Sequence, residues 1–208
     1  MDIKLPKKAI SYSQCDLWTK DKKQYRLQYY EGLGFKGNRF TFFGSEVHDR
    51  IDKDPEFADI RLPVAEKKMW VNIEMGENLS PLPVIGYIDT LDEDTYYFGD
   101  YKTSMSPWTQ RKVDKHKQFE FYSLLLAEKY AIKNPNKAYL VWLETEKWDN
   151  KETIDGVTFY RGEELRLTGR RERFEREITQ EQRDEMKQWI KQCALEISKD
   201  YKIWQQKS

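Results

Sequence analysis

The sequence predicts an α/β fold in which a central mixed β-sheet is flanked by helices. Residues 65–75 alternate between apolar and polar side chains almost every second position, which is typical of a half-buried strand. Two more strand patterns follow at 83–91 and 95–103, and together the three indicate a meander. Helical patterns precede and follow this meander, and an order of helices, strands, helix, strands and helix favours a layered α/β architecture.

Length and composition restrict the class of protein. The chain has 208 residues, which suits a single domain over 1–208. Its 36 basic and 36 acidic residues exclude a uniformly basic nucleic-acid binder, although a local basic groove stays compatible with zero net charge. An aromatic content of 14% argues against disorder. The sequence has no apolar run of about 18 residues, which a membrane-spanning helix would need, and no secretory signal is apparent. We therefore expect a cytoplasmic protein.

The other elements can be assigned in chain order. A helix is predicted from Ser11 to about residue 30, ended by the glycines that follow it, and a second helix at 43–53 carries His48. Thr179 and Gln182 fit a capping box that opens a last helix to about residue 201. Between the meander and this last helix lie a helix at 113–132 and strands at 137–145, 157–160 and 170–178.

The hairpin at 83–103 carries the most specific chemistry. Asp100 and Lys102 are two apart in a strand, so their side chains share a face. A two-residue turn at 93–94 would place Asp89 opposite Phe98 and make Asp89 and Asp100 diagonal neighbours. Any loop with an even number of residues keeps the two carboxylates on one face, whereas an odd number separates them.

Two adjacent carboxylates repel each other unless a divalent cation neutralises them. Mg²⁺ suits such a pair because it binds carboxylate oxygens together with waters and phosphates, at about 2.1 Å. Lys102 beside the ion would orient an attacking water or stabilise charge on phosphorus. A surface hairpin in which Lys102 is only the salt-bridge partner of Asp89 and Asp100 is the alternative. The apolar surroundings of Asp89 speak against it, because an unpaired carboxylate there is costly.

The order of several short motifs resembles one enzyme superfamily. Gly86-Tyr-Ile-Asp89, separated by ten residues from Asp100-Tyr-Lys102-Thr103, resembles the core of the PD-(D/E)XK nucleases, which have a restriction-endonuclease-like fold. Gly44-Ser-Glu-Val-His48 and Gln118-Phe-Glu-Phe-Tyr122 resemble the G-x-x-x-H and Q-x-x-x-Y motifs of its RecB-like branch. The tyrosine-rich first helix is also similar to that of this branch. The resemblance covers about residues 10–200 in the same order.

The resemblance implies a role for each matching residue. Asp89, Asp100, the backbone carbonyl of Tyr101 and His48 would bind one or two Mg²⁺ or Mn²⁺ ions, and Lys102 would act on the water. Gln118 and Tyr122 share a helix face and would line the groove, where they touch DNA or brace the metal site. Glu66 loosely fits an acidic position before the hairpin.

Plainer interpretations remain for several of these residues. His48 alone would more often be a hydrogen-bonded surface residue than a ligand, and Tyr122 fits an ordinary core position. His116 belongs to no motif and is predicted to be a solvated helix residue. Some RecB-like nucleases hold an iron–sulfur cluster on four cysteines. Here Cys15 and Cys193 are the only two, so we expect no cluster and assign both to helix packing.

A phosphodiester substrate requires local positive charge. Basic residues predominate over 101–117, where Arg111, Lys112, Lys115 and Lys117 are the predicted contacts to the DNA backbone. The lysine-rich segment 1–26 is an alternative surface, and either patch is also compatible with a merely solvated helix face.

We therefore predict a stand-alone metal-dependent DNA nuclease. An exonuclease that processes DNA with a free end, single- or double-stranded, in recombination, repair or phage DNA metabolism is favoured by family analogy alone. No phosphate-loop motif of a helicase motor is present. A structure-selective or restriction-type endonuclease is the first alternative, and a non-cleaving module that binds nucleic acid or a partner is the second. A single-strand annealing or recombination protein is the expected partner.

Overall fold

The computed structural model describes residues 3–34, 37–132, 136–154 and 157–207. Its elements are α1 (Tyr12–Lys20), α2 (Lys22–Tyr29), α3 (Arg39–Lys53), a 3-10 turn (Pro55–Phe57), β1 (Val64–Ile73), β2 (Leu82–Asp92), β3 (Tyr97–Ser104), α4 (Gln110–Asp114), α5 (Gln118–Tyr130), β4 (Asn136–Ile154), β5 (Val157–Ile178) and α6 (Gln180–Gln205). None of the described helices is long and apolar enough to cross a membrane.

The five strands form one mixed sheet in the order β1-β2-β3-β4-β5. Neighbours are antiparallel except β3 and β4, which run parallel because the chain returns through α4 and α5 between them. One face packs against α1, α2, α5 and α6, and α3 packs on the other face over the β3–β5 side. The predicted mixed sheet flanked by helices is confirmed.

Two predicted helices are each divided into two. Asp21 has an extended φ of −152° and its side chain accepts the N–H of Gln24, so it ends α1 and caps α2. The predicted helix over 113–132 is interrupted between α4 and α5. At the other end of the chain, the capping box of Thr179 and Gln182 is confirmed at the start of α6.

The last strands are longer than the periodicity suggests. β4 and β5 have 19 and 22 residues and form one long antiparallel hairpin, where short strands were predicted. Charges of opposite sign face each other along it, as in the ion pair of Arg166 with Glu146. This polar pattern lacks the apolar alternation by which a strand is recognised in a sequence.

The turn between β2 and β3 differs from the predicted one. The loop has four residues, 93–96, and its backbone is held by the side chain of Asp92, which accepts the N–H groups of Asp94 and Thr95. The predicted two-residue turn was wrong, and Phe98 pairs with Leu91 instead of Asp89. The loop still has an even number of residues. The changed register places Asp89 opposite Asp100, where a diagonal arrangement was predicted.

The sheet opens immediately beyond this turn. The ladder between β2 and β3 has three pairs and ends at Thr90–Gly99. From there β2 continues alongside β1 and β3 alongside β4. Ile10 of the N-terminal segment bridges to Val84 farther along β2. Asp89 and Asp100 are therefore the first residues of a gap between the two central strands.

Candidate active site

Two carboxylates lie at the gap between β2 and β3, and each has its own contact. Asp89 Oδ2 accepts the backbone N–H of Tyr101 at 2.9 Å, in place of a ladder hydrogen bond. Asp100 is buried with 1% of its surface exposed, and its two oxygens lie 3.0 and 2.7 Å from Lys102 Nζ. The structure thus brings Asp89, Asp100 and Lys102 together, as the sequence predicted.

Helix α3, which packs on the face of the sheet opposite to α5, adds His48. A Cβ at Gly44 would lie 3.3 Å from Thr103 Oγ1, so glycine lets this helix approach β3 closely. His48 Nε2 lies 3.1 Å from the carbonyl oxygen of Tyr101, and its Nδ1 lies 3.9 Å from Asp89 Oδ2. The imidazole therefore lies beside the backbone carbonyl of Tyr101, the residue that follows Asp100.

Helix α5 braces the lysine from the other face. Lys102 Nζ donates to Gln118 Oε1 at 3.3 Å, and Gln118 Nε2 donates to the hydroxyl of Tyr122 at 2.5 Å. Tyr122 is buried. Gly86 of β2 admits this helix, because a Cβ there would lie 2.6 Å from Leu125 and 2.9 Å from Phe121. Gln118 and Tyr122 thus reach the site through Lys102.

Burial and neighbouring charges alter the protonation of the site. Burial, followed by repulsion from Asp100, raises the pKa of Asp89 from 3.8 to about 6, against the opposing effects of His48 and Lys102. Burial alone would lower the pKa of Lys102, but attraction to Asp100 and Asp89 outweighs it and the pKa is raised. The lysine is therefore a cation at neutral pH.

A cavity of about 320 Å³ adjoins Asp89 on the α3 side. Its lining is acidic, and the residues are Ser45, His48, Asp49, Asp52, Glu66, Tyr87, Asp89 and Tyr101. Burial and the nearby Glu66 raise the pKa of Asp52. Glu66, with a φ of +42°, thus lies beside the site in a conformation that few non-glycine residues adopt. Sequence reasoning missed Asp49 and Asp52, although Asp52 follows His48 by four residues and so shares its helix face.

His116 corrects a prediction. It was expected to be a solvated helix residue, but only 17% of its side chain is exposed and its ring lies between those of Trp108 and Phe119. Its Nε2 makes no hydrogen bond within the described residues and lies 3.9 Å from Asp100 Oδ2. Burial lowers the pKa of His116, although Asp100 acts in the opposite direction. The side chain thus adjoins the site without a motif to mark it.

The donor set of this site is chemically suited to a hard divalent cation. Two carboxylates, the Tyr101 carbonyl and an imidazole are available, and Asp100 Oδ2 is buried without a hydrogen bond of good geometry despite its nearness to Lys102. Among the described residues, no three His, Cys, Asp or Glu side chains gather closely enough to form a complete ligand cluster. A metal ion at this site would therefore also need the backbone carbonyl oxygen of Tyr101 as a ligand.

The predicted DNA-backbone residues lie next to α5. Arg111, Lys112, Lys115 and Lys117 are all exposed on α4 and in the short connection that leads to Gln118. Lys112 Nζ donates to the carbonyl of Pro107 at 2.7 Å. Cys15 and Cys193, by contrast, are free thiols buried on α1 and α6.

The fold agrees with a comparison of sequences. A family model of the PD-(D/E)XK nuclease superfamily matches residues 57–208, and the chain belongs to this superfamily. The matched range contains Asp89, Asp100, Lys102 and Gln118 and begins after His48. Membership implies a nuclease that depends on divalent metal ions and acts on DNA.

Two solved structures are similar to this one at low identity. SSO0001 shares 11% of its sequence with this chain at a TM-score of 0.48, and the alignment covers 96% of this chain and 77% of the other. A Eubacterium rectale protein, provisionally described as an exonuclease, shares 13% at a TM-score of 0.39, over 90% of this chain and 65% of the other. A search of curated proteins gives no significant match.

Proposed function

We propose that this protein is a Mg²⁺- or Mn²⁺-dependent deoxyribonuclease of the RecB-like branch, with its active site in the gap between β2 and β3. The observation that carries the proposal is the meeting of three elements there. The hairpin supplies Asp89, Asp100 and Lys102, helix α3 supplies His48, and helix α5 supplies Gln118. A salt bridge in a plain surface hairpin would need neither of the two helices.

Each residue has a task in this proposal. Asp89, Asp100, the Tyr101 carbonyl and His48 would hold the ion, which would supply positive charge to offset the carboxylates and lower the pKa of a bound water. The N–H of Tyr101 fixes the orientation of Asp89. Lys102, a cation, stabilises the negative charge that develops on phosphorus, and Gln118 holds its ammonium group in place. Glu66 adds negative charge to the cavity beside Asp89.

We further propose that the enzyme degrades DNA from a free end, in recombination, repair or phage DNA metabolism, together with an annealing or recombination protein. The motif order 44–48, 86–103 and 118–122 supports the RecB-like assignment. An endonuclease is the alternative reaction on the same site. A module that binds without cleaving is disfavoured by the complete set of Asp89, Asp100 and Lys102.

One assay separates these possibilities. End-labelled linear DNA and closed circular DNA are incubated with Mg²⁺, with Asp100→Asn protein as the matched control. Loss of linear DNA alone supports the exonuclease, and nicking of circles supports the endonuclease. Cleavage that persists in Asp100→Asn would place the active site elsewhere. Binding with no cleavage of either DNA would favour the non-cleaving module.

A further inference from the structure

The outer face of β1 and β2 is an open aromatic surface. Helix α5 packs against the inner face of these strands, through Met69, Val71, Val84 and Ile88. On the opposite face, the strand residues packed under α3 come from β3, β4 and β5, and none of the described ones comes from β1 or β2. Trp70 and Tyr87 are 44% and 46% exposed there. Large exposed aromatic side chains on a flat sheet face are suited to stacking with a planar ligand.

This surface is continuous with the candidate active site. Tyr87 lies two residues before Asp89 on β2, and both residues line the site cavity. Lys68 pairs with Tyr87 across the strands, and Trp70 pairs with Ile85. Trp70 and Tyr87 are therefore diagonal neighbours, with Cα atoms roughly 7–8 Å apart. That is about two of the roughly 3.4 Å rises of a DNA strand.

Lys68 supplies a cation beside both aromatic residues, opposite Tyr87 and two residues before Trp70. It is exposed and makes no ion pair within the described residues, whereas the adjacent Lys67 pairs with Glu93 at 2.6 Å. Asn72, also exposed, continues the same face beyond Trp70. Glu66 is the acidic residue on this face, and it lies at the site end. The order along β1 is thus carboxylate, lysine, tryptophan, away from the gap.

We propose that Trp70, Tyr87 and Lys68, the aromatic platform, bind an unpaired DNA strand and lead it to the gap between β2 and β3. The inference rests on the proposed nuclease function and adds its substrate class. Aromatic rings stack on unpaired bases whatever their sequence, and a lysine binds the phosphate between them. Duplex DNA presents its backbone and not its base faces to such a surface. The enzyme therefore prefers single-stranded DNA, or the unpaired end of a duplex.

The test measures binding of a fluorescent single-stranded oligonucleotide and of its blunt duplex, with Ca²⁺ in place of Mg²⁺ so that the DNA stays intact. Trp70→Ala is the main variant, because Tyr87 also lines the site cavity. Trp148→Ala is the matched control, since Trp148 is 46% exposed on the distant part of β4. We expect Trp70→Ala to weaken single-strand binding by about 5- to 150-fold, with Trp70→Phe in between. Duplex binding and Trp148→Ala should stay near wild type.

A second arm probes the contact itself. Abasic sites placed one at a time along the oligonucleotide should weaken binding at one position in the wild type and have no further effect there in Trp70→Ala. Equal losses in both proteins would overturn the platform. A wild type that binds and cleaves only duplex DNA would also overturn it, with the nuclease function intact. If light scattering instead reveals a dimer that Trp70→Ala dissociates, the face is an interface between copies and the proposal fails.

Discussion

The carboxylate of Asp89 accepts the backbone N–H of Tyr101 at 2.9 Å across the gap between β2 and β3. This bond takes the place of a ladder pair and fixes one carboxylate beside Tyr101, whose carbonyl oxygen lies 3.1 Å from His48 Nε2. Asp100, the residue before Tyr101, turns its carboxylate to Lys102. The two acids are therefore held by different partners, and we expect their substitutions to have different effects.

The first prediction concerns stability of the metal-free protein. Because the pKa of Asp89 is raised to about 6 on folding, the folded state binds this proton more tightly than the unfolded state. Stability is therefore lost as pH rises from about 4 to about 7, and it is regained as pH falls. Asp89→Asn removes this loss. We expect the variant to be more stable than wild type at pH 7, by on the order of 2 kcal/mol, with little difference near pH 4.

Chemical denaturation at a series of pH values, with a chelator present, measures this difference. Asp94→Asn is the control, because Asp94 is an exposed carboxylate in the adjacent loop. It should show no comparable pH dependence. Saturating Mg²⁺ should reverse the order of stability at pH 7, since the wild type gains binding energy that the variant lacks. A pH-independent difference would contradict the assigned pKa of Asp89.

The second prediction separates two effects of Lys102. Lys102→Met leaves Asp100 buried without its cation, which costs about 1–3 kcal/mol of stability, less than for a fully buried pair because 28% of the lysine side chain is exposed. It should also lower single-turnover cleavage by about 100-fold or more, through loss of transition-state charge stabilisation. DNA binding with Ca²⁺ should change little. Gln118→Ala, which removes only the brace, should reduce turnover less and leave stability closer to wild type. Equal turnover in Lys102→Met and wild type would remove the lysine from the mechanism.

The third prediction concerns the imidazole on α3. If His48 is a ligand, His48→Ala should raise the Mg²⁺ concentration for half-maximal cleavage by about 10-fold or more, while the rate at saturating Mg²⁺ falls less. Ser45→Ala is the matched control, since Ser45 lies one turn earlier on the same helix and lines the same cavity. Its metal titration should overlay that of wild type. The same result for His48→Ala would make His48 a structural partner of the Tyr101 carbonyl.

Local patterns were enough to predict which candidate site residues share a face of a regular element. Asp100 and Lys102 share a strand face, and Gln118 and Tyr122 share a helix face, because spacing alone fixes these relations. The face of Asp89 depended on the parity of the turn. The predicted two-residue turn was wrong, but the four-residue loop that forms also has an even number of residues.

His116 could not be predicted in this way. Its position depends on the break between α4 and α5, and on Trp108 and Phe119, whose rings enclose it. The lengths of β4 and β5 were missed for a related reason. Charged pairs such as Glu146 with Arg166 stabilise that hairpin across the strands, and no single-strand periodicity records a cross-strand pairing.

The last prediction tests where the DNA backbone lies. Lys112, Lys115 and Lys117 are exposed and directly precede Gln118, whereas Lys102 is inside the gap. The triple variant with alanine at these three positions should weaken DNA binding and flatten its dependence on salt, because each lost phosphate contact removes about 0.7–0.9 from the log–log slope. Turnover at saturating DNA should stay near wild type. A triple alanine variant of Lys191, Lys199 and Lys207, on and after α6, is the control of equal charge.

Binding titrations at several salt concentrations, together with single-turnover rates, decide the outcome. A lowered slope in the first triple variant and an unchanged slope in the control would assign the backbone contact to the α4–α5 connection. The reason is that net charge changes equally in both, so only the location differs. Equal slopes in the two variants would exclude this surface. The lysines of segment 1–26 would then be the better candidates, and Lys20, Lys22 and Lys23 would be replaced in the same assay.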